Sequence, residues 1–216
     1  GAAIVGNVQV SDQKSTAVMN STVTLGGRLT AQGMAVYSLL AVDMTSKLSD
    51  VGGAILSIGT FEQYVDYTKN NQISVRPGAV LTALGKDVNG GIYMLAENNN
   101  QNSSIGFVDA GVRMEGSSSG GGLADVNTTR SYIDTRSTAL VTVGGTARLV
   151  TERGDLELLA YGGTNVEAKM DARAGAGFAY GHVYLTVHLA DTARVTVSDG
   201  AYLLGRTLAL KAITDN

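Results

Sequence analysis

GGGLADVN (Gly120–Asn127), followed further along by VTVGGTARLVTERGDLELLA (Val141–Ala160), is the stretch that decides how this chain is read. Val141, Val143, Ala147 and Leu149 share one parity, so the apolar residues recur every second position. That period belongs to a strand with one buried face. Gly144-Gly145 and Gly154 interrupt the alternation where the chain must turn.

The same two blocks recur along the chain. The small-residue block reads GAAIVGNV from Gly1, GGAILSIG from Gly52 and GAGFAYGH from Gly175. The second block spans Val23–Ala41, Ile73–Ala96 and Val195–Ala212 in the other copies. Val65, Ile133 and Val187 each precede a second block by eight residues. The first copy breaks this spacing, and its SDQKSTAVMN (Ser11–Asn20) reads as a longer loop. The repeats are therefore set at 1–51, 52–119, 120–174 and 175–216, with inserted loops at about 97–119, within one unit spanning residues 1–216.

Composition agrees with strands. Glycine supplies 28 of 216 residues, proline one, and cysteine and tryptophan none. Charged residues are 16%, against ~25% in an average globular protein. Without cysteine there are no disulfides and no thiolate metal sites. The net charge of −3 comes with no basic run, so nucleic acid is not expected as a partner. No apolar run is long enough for a membrane-spanning helix.

A short strand with one apolar face cannot bury that face alone, whereas stacked copies share a continuous core. The expected fold is all-β, a right-handed parallel β-helix (β-solenoid). Rungs of about 18–25 residues would give roughly nine to eleven turns. At ~4.8 Å per rung the column would be about 45–50 Å long. Pro77-Gly78 reads as a type II turn at a corner. No cap is visible at either end, so a segment of a larger protein is expected.

The pattern from Asn127 to Ala160 (Asn-Thr-Thr, Tyr-Ile-Asp, Val-x-Val, Gly-Gly-x-Ala-x-Leu, Gly-Asp-Leu-x-Leu-x-Ala), with AGAGFAYG after it, resembles the repeat region of large filamentous-haemagglutinin-like and leukotoxin-like adhesins of Gram-negative-type bacteria. The resemblance implies a secreted, two-partner or autotransported exoprotein shaft at the bacterial cell surface. It also implies adhesion to host or microbial surface receptors or glycans through the parent protein, with aggregation and biofilm formation. Fold alone does not establish such a role.

Few residues point to chemistry. No nucleophile triad, P-loop, GxGxxG or HExxH is present, so no catalytic residue, cofactor or metal site is assigned and the chain is not expected to be an enzyme. The alternative is a carbohydrate-active β-helix enzyme, a polysaccharide lyase or glycosidase, with carboxylates such as Glu152, Asp155 or Glu157 paired across rungs. Arg153-Gly154-Asp155 spells a tripeptide that resembles a receptor-binding signal, although Gly154 also suits a plain turn. His182 and His188 share parity on one strand about 20 Å apart, too far for one metal ion. Open rung ends would permit end-to-end or lateral self-association.

Overall fold

Period-two alternation produces strands throughout. The computed structural model describes residues 6–41, 44–53, 55–85, 90–98 and 111–215. In chain order the strands are β1 (Gly6–Leu25), β2 (Arg28–Ala31), β3 (Met34–Leu40), β4 (Met44–Gly53), β5 (Leu56–Val75), β6 (Val80–Ala83) and β7 (Ile92–Asn98). They continue with β8 (Gly111–Val143), β9 (Arg148–Thr151), β10 (Leu156–Gly163), β11 (Asn165–Val197), β12 (Tyr202–Leu204) and β13 (Leu208–Asp215). Among the described residues they form three sheets, ordered β1-β5-β8-β11 (with β4 also on β8), β2-β6-β9-β12 and β3-β7-β10-β13. Every pairing is parallel.

The registers define the repeat. Gly6 pairs with Leu56, Leu56 with Ala124, and Gly111 with Asn165, so partners are offset in sequence by 50, 68 and 54. Each sheet path holds four strands, so the described chain makes four large coils. The expectation of nine to eleven short rungs is therefore corrected. β5, a single wall of a coil, is already 20 residues long, the size expected of a whole rung.

The second, third and fourth coils each have two walls, because the chain folds back at the small-residue block. Ser118 Oγ lies 3.3 Å from Thr129 Oγ1. Eleven residues of extended strand would separate them by about 36 Å. The reversal in β8 falls at Gly120–Gly122, and a Cβ on Gly120 would sit 2.1 Å from a carboxylate oxygen of Asp125. A side chain there would push the Asp125 carboxylate aside. In the preceding coil the two limbs are β4 and β5, joined by the 2.7 Å Gln63–Ser46 hydrogen bond.

At the other end the chain turns into the short corner strands. Ala79 N–H donates to Arg76 O at 3.1 Å, and Gly78 has φ 74°, as a type II turn requires. Gly200 holds the matching position in the fourth coil at φ 80°, whereas the third coil puts Thr146 there at φ 64°. Thr146 is the sole non-glycine residue with positive φ among the described residues.

Inward residues form two apolar clusters. One joins Ile73, Val75, Val141 and Val143 to Leu81, Leu149, Met94, Leu156 and Leu158. The other joins Val65, Tyr67 and Ile133 to Val112 and Met114. Val65, Ile133 and Val187, equally spaced from their second blocks, stack in one column. Between the clusters runs a polar seam, where the strands of the third sheet pass into the limbs that return to the small-residue blocks. Asn71 Nδ2 donates to Ser38 O and Glu97 O at 2.6 and 2.8 Å, and Asn98 Nδ2 to Thr138 O at 2.9 Å. Lys69 is fully buried and donates to Gly163 O at 2.8 Å. These side chains satisfy carbonyls that leave the ladder at the junction.

Ser11–Asn20 and Gly111–Ser119, both expected within loops, lie in strands. Ser11–Asn20 lies inside β1, with Ser15 opposite Val65 and Met19 opposite Lys69. Of the 97–119 insertion, Glu97 and Asn98 end β7 and Gly111–Ser119 begin β8; residues 99–110 lie outside the described residues. Small and polar residues occupy inward positions of both strands, for example Ser15, Ala17, Gly116 and Ser118, which removes the apolar half of the alternation. The added length of the second coil falls between Asn98 and Gly111.

Candidate functional site

The outer surface of the third sheet carries a groove built by successive coils. Ala35, Tyr93 and Glu157 stand side by side on β3, β7 and β10. Just before these strands come Gly33, Gly91 and Asp155. Gly91 O accepts from Met34 N–H and Asp155 O from Ile92 N–H, both at 2.9 Å, so the ladder continues beneath the groove. Glycine and alanine at this crossing leave a cavity of about 560 Å³ lined by Gly33, Ala35, Tyr37, Tyr93, Asp155 and Glu157 among others. That volume is in the range of small-ligand sites.

The walls differ in chemistry. Tyr37 and Tyr93 meet at a ring-centroid distance of 5.6 Å, tilted by 50°. The Tyr93 hydroxyl is pushed up first by burial and then by its neighbours Tyr37, Glu157 and Glu97, so it stays protonated and can donate. On the other wall, Arg206 donates to both oxygens of Asp155, at 3.1 and 3.0 Å. Hydrogen bonds from Arg206 and Thr207 hold the Asp155 carboxyl low. Glu157 makes no hydrogen bond or salt bridge among the described residues.

The Arg153-Gly154-Asp155 tripeptide lies at this corner. Arg153 is exposed. Gly154 is packed so that an added Cβ would sit 2.5 Å from the Gly91 backbone, and its N–H donates to Thr151 Oγ1 at 3.0 Å. Asp155 faces Arg206. A receptor reading the tripeptide must displace Arg206 from Asp155. Glu152 is exposed on the same bend, while Asp155 and Glu157 line the groove. Asp155 is held ionised, opposite to what a general acid in glycoside hydrolysis needs.

The outer face of the long sheet is the second polar surface. Tyr64 and Tyr132 stack at 4.8 Å, nearly parallel at 6°, and Tyr64 OH donates to Glu62 at 2.8 Å. Arg130 bonds Glu62 at 3.0 Å and lies 5.8 Å from the Tyr184 ring. His182 contacts Tyr180 and Tyr184 on the same strand, and His188 is exposed six residues on. Among the described residues no group of three or more acidic or histidine side chains is placed to hold a metal ion. No helix among them is long and apolar enough to cross a membrane.

No family model, curated protein or solved structure matches the chain.

The groove cannot be read from sequence, because its residues run from Gly33 to Glu157 and meet only through coil register. The one sequence signal is the pair of carboxylates at Asp155 and Glu157, two apart on one strand face.

Proposed function

We propose that this chain is a shaft segment of a secreted bacterial surface filament, coiled right-handed and serving adhesion and aggregation through the protein of which it is part. The observation that supports the reading is the unbroken parallel register of all three sheets through four coils. A column of this kind extends by adding coils without any new kind of contact. End-to-end or lateral association between copies would lengthen it in the same way.

Coil dimensions set the expected shape. β5 has 20 residues, so one wall is about 65 Å long at ~3.3 Å per residue. Four strands at ~4.8 Å span only about 14 Å. The shaft should therefore be a flat ribbon, wider than the rod of roughly 20–30 Å that small rungs would build. Negative-stain electron microscopy of the parent filament tests this. Ribbons at least as broad as one wall is long support the shaft reading, and compact particles overturn it.

A carbohydrate-active role is the second reading, and the aromatic and acidic groove favours it. Since Asp155 is neutralised by Arg206, the groove suits binding better than hydrolysis.

A further inference from the structure

We propose that the groove between Tyr37, Tyr93, Asp155 and Glu157 is a binding site for a short oligosaccharide bearing free amines, a de-N-acetylated hexosamine chain. This inference goes beyond the shaft reading and does not depend on it.

Three observations carry it. First, Tyr37 is well exposed and Tyr93 partly exposed, with tilted rings that leave an apolar surface for a pyranose ring or a cation. Second, the charges lining the groove are acidic, and the nearby guanidinium of Arg206 is occupied by both oxygens of Asp155. An anionic sugar would meet Glu157 with no cation among the lining residues to offset it, whereas an ammonium gains a charge-assisted hydrogen bond there. Third, Glu157 is an acceptor-only group, partly exposed and without a partner among the described residues. The neutral hydroxyl of Tyr93 adds a donor for a ring or hydroxyl oxygen.

The cavity of about 560 Å³ is open and shallow-floored at Gly33, Ala35 and Gly91, so it admits a chain laid across the coils. Successive sugars would then run parallel to the stacking axis.

The test is an NMR titration of the full chain, isotope-labelled, with a tetramer of glucosamine. The expected result is shift changes centred on Gly33, Tyr37, Gly91, Tyr93 and Glu157. Tyr37→Ala and Glu157→Gln should each weaken binding about tenfold. The N-acetylated tetramer should bind more weakly, and a heparin tetrasaccharide should not bind. Both substitutions lie on an outward face, and circular dichroism checks that each variant keeps the fold. If a variant fails to fold, the shift map of the unaltered chain decides alone. Shifts scattered over the molecule, unchanged affinity in folded variants, or preference for the N-acetylated or anionic sugar would overturn the proposal.

Discussion

Ile133 in the third coil and Val187 in the fourth occupy the same column of the same wall, yet Ile133 is 1% exposed and Val187 40%. The contrast recurs between Leu158, 1% exposed, and Leu210, 46% exposed, which pair on β10 and β13. The residue types and the local backbone are alike. What differs is the presence of a coil on each side. Burial in this architecture is produced between coils and hardly at all within one. A single coil holds its two walls apart by one layer of side chains, and neighbours above and below must close the gaps. Stability should therefore be concentrated in the second and third coils and thin out in the first and fourth, as nearest-neighbour coupling predicts.

Substitutions at matched positions should differ in cost. Ile133→Asp should unfold the chain or cost more than about 4 kcal/mol, because a carboxylate would be left unpaired in the apolar core. Val187→Asp should cost less than half as much in the same denaturant titration. Equal losses would contradict the gradient. Leu158→Ala should lose about 2–5 kcal/mol by leaving a cavity, and Leu210→Ala about 1 kcal/mol or less.

A smaller effect comes from the polar seam of the inner coils. Burial lowers the Lys69 ammonium to about 8 in the folded chain, against the attraction of Asp191. In the unfolded chain it returns to its ordinary value near 10.5. Between these values the unfolded state holds the extra proton, so this group makes stability rise with pH. Denaturation midpoints measured from pH 8 to 10 should climb, and Lys69→Met should flatten the climb. A slope unchanged by the substitution would show that Lys69 is not buried as a charge in the seam.

The corner turn also differs between coils. Thr146 adopts φ 64° where the other coils use glycine. A β-branched residue pays for that conformation, so Thr146→Gly should raise stability by about 1 kcal/mol, read as a higher melting temperature. The smallest change expected is at the surface. Lys47 and Glu115 form a 2.7 Å ion pair in open solvent. Glu115→Gln should leave the denaturation midpoint unchanged within error.

Much of the fold is legible in the chain because inward apolar residues and turn glycines mark their own places. Gly52 and Gly120, equivalent block starts in the sequence, are paired residues. Gly120 pairs with Ala174, one residue from the expected Gly175. That one repeat makes one coil, and not several rungs, is not legible. Alternation reports that a face is buried without reporting where the chain reverses, so a wall passes for a whole rung. The far half of each coil also hides its pattern, since Ser46, Gln63, Ser118 and Ser131 point inward and bond one another or their neighbours. Of the candidate site, only Asp155 and Glu157 stand out. Tyr37 and Tyr93 sit 56 positions apart in the sequence and meet because β3 pairs with β7 at an offset of 58.

The coil register can be probed by a designed disulfide in a chain that has no cysteine of its own. Thr68 and Arg136 are outward-facing partners on β5 and β8. Thr68→Cys with Arg136→Cys should oxidise to an intramolecular disulfide under mild conditions, seen as a loss of about 2 Da and faster non-reducing migration. Thr68→Cys with Ser137→Cys, one residue on and facing the interior, should stay reduced. Failure of the first pair with success of the second, or crosslinking of Thr68 to a position only one wall's length away in sequence, would contradict a four-coil solenoid.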